Sequence, residues 1–483
     1  MAISIISQPQ DLSPAYSQTV LCVDSTNKLL NGFRYVFEIY NHDTSTLLAT
    51  LKVASEPTNG YGYADISKIL SDYLTYNLDV NSTLFEAPKN YIKYRIDVKE
   101  TYLYSWNFTS ITYTSGSGEY LLNGSTPALY NNNDQIQIQI TSGTDTWSQG
   151  LHTVESSTGN NVLIDGEYGG GASPVTVGGT VYYANKTKFT SAVLGSFTGY
   201  AFNGVVSFKE LFTYNANTYT IKDNTLSTTK QMLTDLPDNF TVTPDQDLWL
   251  NLFRDPTTTT QTIQYRIQNS NGDIFYNAAH LSAYTSLESS VAVGPGNANP
   301  LVLSGTLPIV KPDTTYYDVW LAEPVANGGS QLSKKYRINI DQRCKIEDYE
   351  ILFQDRKGSW LSYAFQLRAQ ETGTIERKTY NKTLGSIDAV NGFDILRQET
   401  GQTIYSVNLQ KQLQLNTNWM NDEMSVMFEQ LLTSPVTLLK DTDGLYYQVI
   451  VQDGGFETLR QKNRILIKKT INVRYANADG INI

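Results

Sequence analysis

Strict alternation of apolar and polar residues is the feature that most constrains how this chain folds. Segments of this kind recur along the whole sequence, with Ile, Tyr, Phe or Val at every second position. Because successive side chains of a strand point to opposite faces of a sheet, each segment places one face on a core and the other in solvent. The alternation therefore predicts strands, and its clearest examples lie at residues 35–39, 92–98, 136–140, 263–267 and 336–340.

Glycine, asparagine, aspartate and proline cluster between these segments, as the turns of strand-rich domains require. Residues 93–97, 264–268 and 335–339 are similar in sequence. β-Sandwich modules that end in similar strands would explain the similarity. Amphipathic strands in general also look like this, and the lack of a fixed spacing between the three copies favours that simpler explanation.

Helical periodicity is confined to three short stretches. The strongest begins near Asn421 and ends before Pro435, and its apolar residues follow the i, i+3, i+4, i+7 pattern of a helix with one buried face. A second short helix is predicted after Asp65, which can cap it. A third is predicted over residues 228–236. Helices are therefore a minor component of the predicted fold.

The length of 483 residues suggests three or four domains. We predict an N-terminal β-sandwich-like module with a short helix, a Gly- and Asn-rich β module, a second β-sandwich-like module and a C-terminal α+β assembly domain. These span residues 1–114, 115–239, 240–344 and 345–483. The predicted fold class is thus mainly β, with several sandwich-like modules and one long helix in the last domain.

The formal net charge of −11 disfavours nonspecific binding to nucleic acid or to an anionic membrane. The densest basic stretch, at 460–474, alternates with Ile, Val and Tyr. A strand with one solvated face explains this stretch better than a phosphate-binding surface does. No apolar run approaches the roughly 20 residues of a membrane-spanning helix. We therefore expect no specific nucleic-acid binding and no membrane insertion.

Cys22 and Cys344 are the two cysteines, so the sequence contains neither a disulfide framework nor a zinc pattern. Cys22 lies in an apolar run and is expected to be a buried thiol. The first residues lack the basic and long apolar regions of a signal peptide. We therefore expect the protein to be made and to fold in a reducing cytoplasm, and to leave the cell, if it does, by a route such as lysis.

Residues that commonly carry chemistry are sparse. His42, His152 and His280 are far apart and are expected on the surface or in loops. The sequence lacks the phosphate-binding, dinucleotide-binding and nucleophile-elbow motifs. We therefore predict no catalytic residue, no cofactor and no metal ligand.

Two pairs of closely spaced carboxylates are exceptions to this sparseness. Asp245 and Asp247 would share one face of a strand, and a glycosidase needs two carboxyl groups across its substrate. Asp441 and Asp443 precede a glycine like part of a calcium loop, but the other ligands are missing and a turn explains them better. The alternative that folding brings distant carboxylates together into an active site remains open.

Methionine and tryptophan side chains supply the candidate contact residues. Trp419, Met420, Met424 and Met427 can form a plastic surface for a partner subunit, and core packing is the stronger alternative for the methionines. Trp147 lies in a polar segment and is the candidate for ligand contact. Anchoring in a core or a loop is the alternative for this tryptophan.

Two segments resemble known proteins. The opening, at residues 8–16, 23–26 and 33–35, resembles the start of virion structural proteins of tailed phages that infect Bacteroidota, crAss-like phages included. The closing segment resembles tail components of such phages at residues 413–419, in the helix through Phe428, at residues 431–436 and in the strands that follow. The resemblance implies a virion protein of the tail or neck, where related proteins form rings around the DNA channel or adaptors for fibres.

The main functional prediction is a structural subunit of such an assembly. It would contact copies of itself in a homo-oligomeric ring, together with other virion tail proteins, and its acidic charge would let DNA slide past without sticking. A receptor- or glycan-binding tail protein is the alternative, motivated by Trp147. An enzyme, chiefly a polysaccharide depolymerase, ranks third, because the short repeats of a parallel β-helix are not visible.

Overall fold

The computed structural model of the protein describes residues 3–30, 32–103, 105–114, 119–126, 128, 130–142, 150–165, 178–183, 189–222, 227–256, 263–276, 286–298, 308–324, 329–343, 349–390, 392–395, 397, 401–452, 468–477 and 479–482.

Strands dominate this described part of the chain, so the predicted mainly β fold with sandwich-like domains is confirmed. The strands of the first half are β1 Ile3–Ser7, β2 Leu12–Pro14, β3 Val20–Ser25, β4 Arg34–Asn41, β5 Leu47–Val53, β6 Gly62–Asp65, β7 Leu84–Glu86, β8 Tyr91–Tyr102, β9 Ser105–Thr114, β10 Glu119–Gly124, β11 Gln135–Ser142, β12 Gly150–Thr158, β13 Asn161–Ile164, β14 Gly178–Tyr183, β15 Phe189–Thr190, β16 Gly195–Phe202 and β17 Thr220–Ile221.

The second half continues in the same way. Its strands are β18 Phe240–Val242, β19 Trp249–Arg254, β20 Gln264–Asn269, β21 Ile274–Tyr276, β22 Glu288–Ala292, β23 Tyr316–Ala322, β24 Tyr336–Ile340, β25 Tyr349–Gln354, β26 Trp360–Phe365, β27 Gln370–Asn381, β28 Ser386–Asp388, β29 Gly392–Asp394, β30 Gln402–Asn416, β31 Thr437–Lys440, β32 Tyr446–Val451, β33 Thr470–Tyr475 and β34 Asp479–Asn482. The helices found in the described residues are α1 Ser67–Ser71, α2 Phe208–Leu211, α3 Ala216–Tyr219, α4 Pro295–Ala298 and α5 Asp422–Thr433.

The chain divides into two compact units. Unit 1 comprises Met1–Ser13, Gln18–Asp72 and Lys93–Ala201, and unit 2 comprises Pro14–Ser17, Tyr73–Ile92 and Phe202–Ile483. The segment Tyr73–Ile92 falls within the predicted first domain but belongs to unit 2, because β7 pairs with β22 there. The finer division into four domains stays a prediction.

Unit 1 consists of three sheets. Strands follow the order β1-β3-β6 in the first and β2-β16-β8-β4-β5 in the second, with β15 beside β8. The third sheet, β10-β13-β12-β11-β14-β9, closes on itself. It has its own core, which includes Trp106, Ile136 and Val181. The buried face of β11 is the alternating isoleucine face that the sequence predicts.

Unit 2 is built on two sheets. The larger has the main strand order β27-β30-β33-β32-β31-β25-β26-β19-β22-β7, and the smaller has the order β18-β24-β23-β20-β21. Residues of both sheets share one core, in which Leu250 and Phe353 of the larger sheet lie together with Val319 and Ile338 of the smaller one. Burying these side chains between two sheets is the main source of stability of such a unit.

Helix α5 confirms the sequence prediction of one long helix near the C-terminus. Asn421 is its N-cap, and the side-chain oxygen accepts a hydrogen bond from the backbone N–H of Met424 at 2.8 Å. Met427, Phe428 and Leu431 are buried in the core of unit 2. The apolar stripe read from the sequence is therefore the face that the helix packs on the sheets.

Two local predictions are wrong and one is confirmed in part. Residues 228–236 form no helix, because their backbone is engaged by a strand: Leu233 N–H donates to Asn251 O at 2.8 Å. The short helix predicted after Asp65 is present as α1, and the Asp65 carboxylate accepts from the N–H of Ser67 at its start, with Ile66 at the N-cap position. Cys22 is half-buried, because the alternation in β3 turns its neighbours to the core instead.

Among the described residues, no helix is long and apolar enough to cross a membrane.

Candidate functional site

A long two-stranded ribbon, which we call the arm and define as residues 370–416, is the most unusual feature of unit 2. Strands β27 and β30 pair antiparallel along it, from Gln370 with Gln414 to Asn381 with Gln402. All twelve residues of β27 are exposed. Strand β27 is also an edge of the larger sheet. Its outer edge therefore offers backbone N–H and C=O groups for pairing with another strand.

The base of the arm is anchored through β30. Leu413 and Leu415 are buried in the core of unit 2, and β33 pairs with β30 over residues 412–416. Strand β34 pairs with residues 406–409 of β30. Farther along, within the described residues, β30 pairs with β27 alone. The arm is thus rigidly held at one end and reduced to two strands at the other.

The far end of the arm carries exposed apolar side chains. The hairpin of β28 and β29 forms this tip, in which Ile387 is paired with Phe393. Ile387 and Val390 are each 87% exposed and Phe393 is 61% exposed. Exposed apolar residues that are grouped rather than scattered mark a contact surface. The other exposed large apolar residues of the arm are Ile375, Tyr380, Leu384, Ile395, Ile404 and Tyr405.

Local interactions specify the shape of the arm. Gly385 has φ of +92°, and a Cβ atom there would lie 2.4 Å from the ring of Phe393, so glycine lets that ring lie against the backbone. The rings of Tyr380 and Tyr405 are 6.2 Å apart across the ribbon. These contacts define a preferred conformation, although a two-stranded ribbon by itself is only marginally stable in water.

The charge of the arm differs from that of the whole chain. The arm contains five acidic and five basic residues and is therefore neutral, whereas the chain has a net charge of −11. A second copy of the protein consequently meets less electrostatic repulsion at the arm than it would at an average part of the chain.

Folding brings together one group of carboxylates that lie far apart in the sequence. Lys440 Nζ is 2.5 Å from Asp247 Oδ2 and 3.7 Å from Glu350 Oε2. The Tyr446 hydroxyl also donates to Asp247 Oδ2. Burial, followed by the charge of Asp247, raises the pKa of Glu350 to about 8. Asp247 is buried, and the partly buried side chains of Lys440 and Tyr446 both bind it, so the group has the character of a structural ion pair.

A second buried group surrounds Asp355. Its carboxylate accepts hydrogen bonds from Thr234 Oγ1 and from the backbone N–H groups of Asp235, Lys357 and Ser359, at 2.8 to 2.9 Å. Lys357 in turn forms an ion pair with Asp235. Burial, followed by the charge of Asp235, raises the pKa of Asp355 to about 7. These bonds close the turn between β25 and β26, which gives Asp355 a structural role.

Of the two carboxylate pairs suggested by the sequence, one differs from expectation and the other lies in the expected turn. Asp245 is exposed and Asp247 is buried, and both precede β19, so the prediction of a shared strand face is wrong: a turn intervenes. Asp441 and Asp443 lie in the turn between β31 and β32, where Gly444 N–H donates to Asp441 O at 2.8 Å, which confirms the turn. Within the described ranges, no three potential metal ligands are grouped.

The histidines and the candidate ligand contact are scattered. His42 follows β4 in a turn beside Asp43. His152 lies within β12, with a ring nitrogen 2.8 Å from Asp165 O, so the expectation of a loop or surface position is wrong for it: its strand is built into the closed sheet. His280, Trp147 and Cys344 lie outside the described residues.

The four candidate interface residues have two kinds of environment. Met420, Met424 and Met427 are buried in the core of unit 2, the last two because the apolar stripe of α5 faces the sheets. The core-packing alternative therefore holds for the methionines. Trp419 is 61% exposed and lies on a cleft that residues of β18, β26 and α5 help to line. Its role in an interface stays a prediction, and it is the member of the four that offers its side chain to a partner.

Comparisons with known proteins identify no relative. No protein-family model matches the sequence, and no curated protein matches it. The chain aligns with native E. coli alpha-2-macroglobulin at 8% identity and a TM-score of 0.14, over 100% of this chain and 34% of that one. Salmonella alpha-2-macroglobulin reacted with methylamine gives 8% identity and a TM-score of 0.14, over 98% and 39%. The chain spans little more than a third of these structures, and so weak a likeness supports no conclusion.

Proposed function

We propose that the chain is a structural subunit that joins copies of itself, through the arm, into a closed ring. The observation that carries the proposal is a twelve-residue strand exposed along its whole length and followed by an apolar tip. The resemblance of the two ends of the sequence to phage virion proteins supplies the setting, a ring around the DNA channel of a tail or neck, or an adaptor for fibres.

The edge of β27 supports pairing with another chain. A long unpaired edge strand favours the addition of a further strand, in which main-chain hydrogen bonds supply affinity and side chains supply specificity. Soluble proteins usually protect such an edge, since it also promotes aggregation. An edge that no other described strand covers over twelve residues is therefore best explained by a partner strand in the assembled state.

The apolar tip supports the same conclusion on energetic grounds. Ile387, Val390 and Phe393 are largely exposed. Burying each of these side chains against a partner would contribute roughly 1.5–3 kcal/mol. Such a gain offsets part of the loss of freedom on association, which is estimated at about 4–15 kcal/mol.

The proposed ring requires the arm to contact a different surface of the neighbouring copy. The arm is a single elongated element, and the surface that receives it would be a different part of the neighbouring copy. Contacts between two different surfaces repeat from copy to copy, and they end only when the rotation closes into a ring. A neutral arm allows this contact between acidic subunits.

Native mass spectrometry of the whole chain tests the proposal. The test variant replaces residues 382–401 by Asn-Gly, which closes a two-residue hairpin between β27 and β30. We expect the wild type to form a closed oligomer of one defined size and the variant to be monomeric, with an unchanged circular dichroism spectrum in the β region. A wild-type chain that is monomeric both alone and in intact particles would contradict the proposal, as would a variant that assembles normally.

A further inference from the structure

Trp419 differs from the other tryptophans that the structure describes. Trp106, Trp249, Trp320 and Trp360 are buried, whereas Trp419 exposes 61% of its surface. It lies in the short connection between β30 and the N-cap of α5. Exposing so large an aromatic side chain is unfavourable, and aromatic residues held at the mouth of a cleft commonly bind a partner molecule.

The cleft beside Trp419 has a volume of about 240 Å³. This is smaller than the roughly 300–1,000 Å³ of sites for drug-sized ligands. It is lined by residues from β18, β26 and α5 as well as from the two connections that carry Arg343 and Trp419. A cleft of this size accepts one ring-sized group rather than an extended chain.

The polar lining of the cleft consists of planar side chains. Gln366 is buried, and its Oε1 accepts a hydrogen bond from Asn418 Nδ2. Its Nε2 has no hydrogen-bond partner among the described residues. A buried donor without a partner is costly, about 1–3 kcal/mol. A ligand oxygen that reached Nε2 would supply the missing acceptor.

The charges at the cleft cancel. Arg343 and Asp341 form a two-pronged ion pair, with Nε 2.8 Å from Oδ1 and Nη2 2.6 Å from Oδ2. The other residues that line the cleft are uncharged. An anionic ligand would have to compete with Asp341 for the guanidinium, so an uncharged ligand with several hydroxyl groups suits the cleft better.

We propose that this cleft binds one ring of a neutral saccharide, with the C–H face of the sugar on Trp419 and its hydroxyl groups bonded to Gln366 and to the Asp341–Arg343 pair. An aromatic face and fixed planar hydrogen-bonding groups are what a neutral sugar ring requires, because it is apolar on its faces and polar at its rim. The site lies apart from the exposed edge and tip of the arm, so it does not depend on the proposed ring.

A saccharide screen with matched variants tests this proposal. Saturation-transfer NMR is recorded with glucose, galactose, mannose and N-acetylglucosamine, and a glycan array extends the panel to neutral oligosaccharides. We expect at least one neutral sugar to bind with a Kd on the order of 1–10 mM as a monosaccharide. Trp419→Ala is expected to weaken binding at least tenfold, since it removes the stacking face, and Trp419→Phe is expected to weaken it less.

Gln366→Leu provides a second, independent perturbation, and Tyr380→Ala on the arm is the control. We expect Gln366→Leu to weaken binding without changing the oligomeric state, and Tyr380→Ala to leave binding unchanged. Failure of every neutral sugar to bind would overturn the proposal, as would binding that Trp419→Ala leaves intact. A change of oligomeric state in Trp419→Ala without sugar binding would assign the cleft to a subunit contact instead. Loss of assembly in an arm variant that still binds sugar would separate this site from the proposed ring.

Discussion

Trp249 and Trp360 are directly paired residues of the neighbouring strands β19 and β26, and both are fully buried. Each indole N–H reaches the same segment of chain: Trp249 donates to Ser82 O at 3.2 Å and Trp360 donates to Asn77 O at 2.9 Å. The pair therefore fastens the segment Tyr73–Ile92 to the larger sheet of unit 2. It also explains how residues so early in the sequence become part of this unit.

Trp360→Phe tests this fastening. The substitution keeps an aromatic ring but removes the bond to Asn77 and part of the buried volume. We expect a loss of about 1–3 kcal/mol in the free energy of unfolding of unit 2, measured by urea denaturation. Trp419→Phe is the matched control, and as a surface change it should stay within about 0.5 kcal/mol. Equal losses in the free energy of unfolding for the two substitutions would show that the indole of Trp360 does not hold the segment Tyr73–Ile92 on the sheet.

Glu288 makes unit 2 sensitive to pH. Its Oε1 accepts from Asn251 Nδ2 at 2.7 Å and from Asn90 Nδ2 at 3.1 Å, and burial raises its pKa from 4.5 to about 8. The folded state thus keeps a proton that the unfolded state releases at lower pH. This contribution to stability is complete below pH 4.5 and is lost as pH rises through about 8.

Glu288→Gln is expected to remove this dependence, because the amide keeps the acceptor oxygen and cannot ionise. Between pH 5 and 8 the stability of the variant relative to the wild type should rise by up to about 1.4 kcal/mol per pH unit. Urea denaturation at several pH values measures the difference. Subtracting the free energy of unfolding of the wild type from that of the variant cancels the contributions of Glu350 and Asp355, whose pKa values are also raised. A difference that stays constant with pH would show that Glu288 is ionised in the folded protein.

Lys440 neutralises the buried carboxylates around Asp247. Lys440→Met is expected to destabilise unit 2 by roughly 3 kcal/mol, since it leaves Asp247 with a buried charge and no cation. The double variant Lys440→Met, Asp247→Asn should recover most of the loss, because no uncompensated charge remains. Chemical denaturation of all four members of the cycle measures the coupling. Additive effects would indicate that solvent, and not Lys440, balances Asp247.

Strands with one buried face could be predicted from the sequence, whereas the arm could not. In β4, β8 and β11 a core selects an apolar residue at every second position, so the pattern reports the environment directly. Strand β27 has no buried face, and its threonines and charged residues carry no alternation. The apolar residues of the tip resemble core residues in sequence, and only the structure shows them in solvent.

The buried ionic groups could not be predicted from the sequence either. Asp247 and Lys440 are 193 residues apart, and no local pattern indicates that folding places a residue just before β19 beside the end of β31. The methionines of α5 were predictable as core residues because helical periodicity identifies the buried face. Trp419 lies just before that helix, where neither strand alternation nor helical periodicity applies, so neither pattern predicted its exposure.

The tip of the arm offers the sharpest point test of assembly. Ile387→Lys with Val390→Lys changes two side chains that are each 87% exposed, so the fold should tolerate both and the free energy of unfolding of the monomer should change by less than about 0.5 kcal/mol. A lysine that must be buried in a partner is costly, so the fraction of assembled protein should fall at least tenfold in sedimentation velocity runs at equal concentration. Leu29→Lys, at a residue of unit 1 that is 93% exposed, adds the same kind of charge outside the arm and should assemble like the wild type. Loss of assembly in both variants would point to general charge repulsion, and loss in neither would remove the tip from the interface.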